Sequence, residues 1–197
     1  MTTLRFRVLG DSLAAGVGCA RVEQSIGHVL AGALRSAGHR VELSVHAVPG
    51  ARSADLAPQV RAAVAGGTDL ALIVIGANDL TRLTPPDVGA RLLKDAVAAL
   101  TGAGARVVVV TAPDMGVLGH VPPAFREVVS QASRQYATAQ ADAATAAGAT
   151  VAHVGPEVFS RFAVDERMFS ADRFHPSAAG YAVIAQALTS YVLAAAV

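Results

Sequence analysis

The chain has 197 residues, 53% of them hydrophobic and 16% charged, with a formal net charge of +1. That length fits a single domain over 1–197, able to bury roughly 70% of the unfolded surface without disulfides or metals. A near-neutral charge with no basic cluster excludes nucleic acid as an expected partner, and the lone Cys19 excludes an intramolecular disulfide or a cysteine-based zinc site and reads as a small core residue.

From the N-terminus, Thr2 to Arg7 passes straight into a first strand, Arg5 to Leu9, without the basic and apolar regions of a secretory signal, so a cytoplasmic location is expected. Ile26, Val29, Leu30, Ala33, Leu34 and Ala37 then hold the i, i+3, i+4, i+7 spacing of one helical face, with Gly38 as the stop. A second strand follows from Arg40 to Val48, and Leu56, Val60 and Val64 mark a second helix. Leu70 to Ile75 and Arg106 to Thr111 are apolar almost throughout, the pattern of parallel strands covered on both faces. Between them a third helix is predicted to begin at Thr84, with Pro85 in the first helical position and Val88, Leu92, Ala96 and Leu100 on its buried face. Phe125, Val128, Val129, Ala132, Tyr136 and Ala139 line a fourth, ahead of a fifth strand from Thr150 to His153. The last helix starts near Pro176 and runs through Tyr181, Ile184, Leu188 and Val192. Gln186, Thr189 and Ser190 break its apolar character, so it reads as a packed helix, and no stable membrane insertion is expected. Strand and helix alternation of this kind implies an α/β protein, a three-layer α/β/α sandwich on a central five-stranded parallel sheet.

Ligands of such sheets bind beyond the carboxyl ends of the strands. Ser12 follows the first strand, Gly50 the second, Gly76 to Asp79 the third, and Asp172 and His175 lie beyond the fifth. Serine is a poor nucleophile at neutral pH and needs a base and a group to orient that base. An Asp three residues before a His can hold one ring nitrogen and leave the other free for a serine. Of the six histidines only His175 has an acid at minus three and a following proline; His28, His39, His46, His120 and His153 read as surface or packing residues. Asp11 and Asp79 are read as loop-stabilising acceptors, and Arg52, Arg82 and Arg173 as ion-pair partners or contacts to an anionic part of the substrate.

Gly10–Asp11–Ser12–Leu13, Gly76–Ala77–Asn78–Asp79 and Asp172–Arg173–Phe174–His175–Pro176 stand in the order of the first, third and last sequence blocks of the SGNH hydrolases, the GDSL-type esterases and lipases, and the chain resembles that superfamily over almost its whole length. The second block departs from the pattern, with Val48 and Pro49 ahead of Gly50. The resemblance implies the flavodoxin-like SGNH fold and an esterase with Ser12 as nucleophile, His175 as base and Asp172 as its orienting acid. It further implies an oxyanion hole from the Ser12 and Gly50 amides and the Asn78 side chain, and a small-molecule ester substrate. Asp172 and His175 could instead be two metal ligands, but no third partner at metal spacing accompanies them, so no metal or cofactor is expected. Leu13, Met115 and Phe174 are candidate substrate contacts, in an apolar wall for a short or medium acyl chain. Acyl transfer through the same acyl-enzyme and a silent small-molecule-binding protein of the same fold are the alternatives. The Gly-x-Ser-x-Gly elbow of common α/β-hydrolases is absent, with Ala14 at its last position, as are dinucleotide and Walker phosphate loops.

Overall fold

A computed structural model describes residues 2–197. Five parallel strands, β1 (Thr3–Gly10), β2 (Arg40–Val45), β3 (Leu70–Val74), β4 (Arg106–Val110) and β5 (Thr150–Ala152), form one sheet in the order β2-β1-β3-β4-β5. Alternate side chains of each strand point to opposite faces. Phe6, Val8, Leu72 and Val108 pack on one face against α2 (Ile26–Ser36) and α8 (Ala178–Ala195). Leu9, Ile73 and Val109 pack on the other against α3 (Leu56–Ala65), α5 (Pro86–Gly102) and α6 (Arg126–Ala146). The expected three layers are therefore present. Helix α8 is long and apolar enough by composition to cross a membrane, but Tyr181, Ala185, Leu188 and Val192 are buried in the core that it shares with α2 and the sheet.

The registers align what matters for a site. Gly10 pairs with Val74 and Val74 with Val110, so β1, β3 and β4 end in one row. The chain runs outward from β1 to β2 and returns to β3, which makes the β1–β3 gap the switch point of the sheet.

Several boundaries differ from the sequence reading. Strand β2 stops at Val45; His46 and Val48 still donate to the Val8 and Gly10 carbonyls (2.8 and 3.0 Å) before the chain turns away. Pro85 is the cap of α5 and Pro86 its first residue, because the ring fixes φ and needs no amide partner in either place. The buried face of α5 is turned by one residue, with Leu93 and Val97 fully buried and Val88 and Leu92 only half-buried. On α6, Phe125, Val128 and Ala132 are exposed, and the buried positions are Ser133, Tyr136, Gln140 and Ala144. The last helix is capped by the Ser177 hydroxyl, which accepts from Gly180 N. An unanticipated helix, α7 (Pro156–Val164), packs Val158 and Phe162 beside Met168 and Ile184; its signals were Gly155–Pro156 as an opener and an apolar pair at i, i+4.

Candidate active site

Ser12 is the first residue of a one-turn helix, α1 (Ser12–Ala15), and is 7% exposed. The Asp11 carboxylate caps that turn by accepting from Leu13 N at 2.9 Å. Gly10 is required ahead of it: with φ at +135° and a built Cβ only 1.8 Å from the Val74 carbonyl, no side chain fits where β1 meets β3. Both backbone groups of Gly10 are then satisfied by one side chain from α3, Gln59, which accepts from Gly10 N (2.7 Å) and donates to Gly10 O (3.0 Å). Gln140 from α6 does the same further along the sheet edge, accepting from Ala112 N (2.7 Å) and donating to Ile75 O (3.2 Å). Two amide side chains thus continue the strand ladders where the strands stop, which explains the polar buried face of α6.

Asp172 and His175 lie on a small hairpin closed by the antiparallel pairing of Phe169 with Pro176 and by Ser170 N donating to His175 O at 2.8 Å. The His175 Nδ1 hydrogen-bonds Asp172 Oδ2 at 2.6 Å, while Asp172 Oδ1 accepts from Ser170 Oγ (2.7 Å) and from the Phe174 and His175 amides (2.9 Å each). Burial acts to raise the Asp172 pKa, but the bonds from His175, the two amides and Ser170 outweigh it and hold the carboxyl well below the usual range. The bend between Asp172 and His175 is made by Arg173 in the left-handed region at φ +54°.

The chain ends meet through residues that the motifs do not contain. Gly18, at φ +99°, lies against the base hairpin, so that a Cβ there would be 2.4 Å from Pro176 O and 3.1 Å from the His175 Cβ. The fully buried Tyr181 of α8 donates to Val17 O at 2.8 Å, just past the serine turn. Ser12 and His175 consequently border one cavity of about 610 Å³. Among the described residues no hydrogen bond joins Ser12 Oγ to the imidazole; such bonds are commonly long before substrate arrives.

Asn78 lies on α4 (Ala77–Thr81), directly after β3, and donates from Nδ2 to Ala51 O at 3.0 Å, which ties it to the Gly50 segment. The departure at Pro49 has a structural reason. Ala51 N donates to Val48 O at 3.0 Å and Gly50 has φ +83°, the form of a type II turn with proline at its second position and glycine at its third.

Leu13, Met115 and Phe174 all line the cavity, with Leu118, Val154, Phe162, Phe169 and Ile184 among the other apolar walls. Phe174 packs edge-on to His175 (centroids 4.9 Å apart) and stacks on His120 (5.9 Å). His153 also reaches the cavity, so two histidines read only as surface or packing residues stand near the site. Arg173 approaches Glu166 at 4.0 Å, and Cys19 is half-buried against the core. Asp79 accepts from Ser53 as a loop acceptor should, and Asp11 and Asp79 each keep one buried oxygen without a hydrogen-bond partner among the described residues. Burial, the largest cause, and the nearby Asp79 charge push the Asp11 pKa up to about 6 against the Leu13 hydrogen bond.

A serine at the switch point of a 2-1-3-4-5 sheet, an Asp–His hairpin across from it and an Asn after β3 together define an SGNH-type hydrolase architecture. The GDSL-like Lipase/Acylhydrolase family model matches residues 8–183, and the chain belongs to that family. It is 41% identical over 185 residues to a GDSL-like esterase of Mycobacterium tuberculosis, a match that takes in 92% of this chain and 59% of that protein's length. A solved structure from Slackia heliotrinireducens, assigned as an SGNH hydrolase, is 26% identical with a TM-score of 0.70, covering 96% of this chain and 98% of that one. A catalytic mutant of an acetylxylan esterase from Geobacillus stearothermophilus shares the fold at 17% identity, with a TM-score of 0.75 over 98% of this chain and 95% of its own.

Proposed function

We propose that the protein hydrolyses carboxylic esters through an acyl-enzyme on Ser12. The Ser12 Oγ lone pair forms a bond to the ester carbonyl carbon, the carbonyl π pair moves onto its oxygen, and the Oγ proton passes to His175 Nε2. Collapse of the tetrahedral intermediate expels the alcohol oxygen, which takes that proton. Water repeats the sequence on the acyl-serine, releasing the acid and restoring the hydroxyl. The observation that carries this reading is the 2.6 Å Asp172–His175 bond on the Nδ1 side, with the imidazole bordering the cavity that Ser12 also borders. Asp172 fixes the tautomer that leaves Nε2 unprotonated and stabilises the imidazolium as it forms. The Ser12 and Gly50 amides and the Asn78 Nδ2 are the donors for the oxyanion, each free of a hydrogen bond or holding a second hydrogen to give.

The apolar walls around Met115, Phe169 and Phe174 fit the acyl side of an ester of short to medium chain length. Fluorophosphonate treatment followed by mass spectrometry tests the nucleophile. An adduct on Ser12 that disappears in His175→Ala is the expected result, and a folded wild-type protein that takes no label overturns the reading in favour of a silent binding protein. Turnover of p-nitrophenyl esters of increasing length tests the acyl site, where activity confined to acetyl argues against an extended apolar pocket.

A further inference from the structure

Asp79 is 1% exposed, lies next to Asn78 on α4, and makes no bond in the chemistry described above. Its Oδ2 accepts from both Ser53 N (2.9 Å) and Ser53 Oγ (3.1 Å). The preceding residue, Asn78, donates to Ala51 O at 3.0 Å. Two consecutive residues of α4 therefore grip the segment after Gly50 at two points two residues apart. On the other side of that segment, the Val48–Ala51 turn is stiffened by Pro49, and a Cβ at Gly50 would meet nothing within 4 Å. The turn is thus open on the Cβ side of Gly50, and its placement depends on what holds Ala51 and Ser53. A neutral acceptor would suffice to close a surface turn. A fully buried carboxylate is costly to desolvate, and it holds its donors more strongly than a neutral acceptor does.

We propose that Asp79 is a positioning residue for the oxyanion hole, clamping Ser53 so that the Gly50 amide stands at the separation from Asn78 that a developing oxyanion requires. The proposal rests on the assignment of Gly50 and Asn78 as oxyanion donors. A loop anchor of purely structural value would alter thermal stability and leave turnover of folded protein unchanged. A positioning residue instead lowers kcat at nearly constant KM, because the donors engage the oxyanion and not the ground-state carbonyl.

The test measures kcat, KM and the thermal midpoint with p-nitrophenyl acetate for Asn78→Ala, Asp79→Asn, Ser53→Ala and the Asn78→Ala/Asp79→Asn double variant. Asp79→Asn is expected to lose about 10²-fold in kcat with KM within about twofold, the cost of donors displaced by roughly an ångström. Ser53→Ala, which removes only the hydroxyl bond, is expected to lose about fivefold. The double variant is expected to fall well short of the product of the two single losses, since both act on one set of donors. Asp79→Asn with wild-type kcat and a lowered melting temperature, or a double variant equal to that product, overturns the clamp while an impaired Asn78→Ala leaves the oxyanion assignment standing. Wild-type kcat in Asn78→Ala overturns that assignment and the clamp with it. If Asp79→Asn does not fold, Ser53→Ala decides alone: wild-type kcat there overturns the proposal, and a fall at constant KM supports it.

Discussion

Ser12 and His175 border the same cavity, yet the serine end is fixed from a distance and the histidine end by its own neighbours. Gly10 is held by Gln59, forty-nine residues away, and the turn after Ser12 by Tyr181, far along on α8. These partners are buried. Asp172, by contrast, has a side chain 47% exposed, and every bond it makes is to residues 170–175. Ser12 is built into the sheet edge, so disturbing its supports disturbs the fold. His175, the proposed base, is carried on a hairpin whose bonds are local, where chemistry and stability come apart.

The most severe expected effect follows from that separation. Asp172→Asn keeps an oxygen for the amides of Phe174 and His175 but presents an NH2 to His175 Nδ1, which drives the proton to Nε2 and leaves the imidazole unable to accept from Ser12. A loss of about 10³ to 10⁴ in kcat is expected, with a thermal midpoint close to wild type because half of the side chain is solvated. Steady-state kinetics beside a melting curve checks both, and a large drop in the midpoint would show that the hairpin is not self-contained.

At the serine end the order reverses. Gln59→Leu leaves Gly10 N buried without a partner and removes one of the two donors to Gly10 O, which keeps Val48 N, and is expected to cost about 2 kcal/mol of stability, read by chemical denaturation. Turnover of the fraction that remains folded should fall by no more than about tenfold, since no reacting group is removed.

The same contrast decides what could be read from the sequence. Asp172, His175 and the strand-end positions of Ser12 and Asn78 were legible because local spacing encodes them: an acid three residues before a histidine, a polar cluster after an apolar run. Gln59 and Gln140 were not, because a glutamine in a helix gives no local sign that its amide will complete a strand twenty-eight residues or more away in the chain. The apolar face drawn for α6 failed for that reason, since the buried positions there are chosen for Ser133 and Gln140 to satisfy backbone groups. Helix α7 was missed because only Val158 and Phe162 are fully buried in so short a segment, too few to mark a face. Pro49 departs from the family pattern but suits the type II turn, a fit visible only once the φ of Gly50 and the Ala51–Val48 bond are known.

Acid titration sharpens the comparison further. The Asp11 carboxyl is buried at 0% exposure and its pKa stands at about 6, above the ordinary 3.8. The folded state therefore keeps a proton that the unfolded state has released, and stability from this group falls as pH rises from about 4 through about 6, then levels. Asp172 runs the opposite way: its lowered pKa contributes stability above the ordinary carboxylate range that is lost as pH falls into and below it, an amount kept small by solvent screening of a side chain 47% exposed. Asp11→Asn, neutral throughout and still able to cap α1, is expected to flatten the first slope and to exceed wild type at pH 8 by on the order of 2 kcal/mol. Urea unfolding from pH 4 to 8 measures it, and an unchanged slope would remove Asp11 as its source.

The smallest effect belongs to the bend in the base hairpin. Arg173 holds φ at +54°, a conformation that costs a residue with a Cβ about 1 kcal/mol or more, and its contact with Glu166 at 4.0 Å joins two exposed side chains and contributes little. Arg173→Gly removes the steric cost and adds unfolded-state entropy, so a net gain of only about 0.5 kcal/mol is expected. Asp172 receives its bonds from the backbone of Phe174 and His175 and from Ser170, none of which the substitution removes, so kcat should stay within about twofold. If kcat instead falls tenfold while stability rises, the stiffness of the arginine backbone, and not the hydrogen bonds alone, sets the angle at which the imidazole faces Ser12.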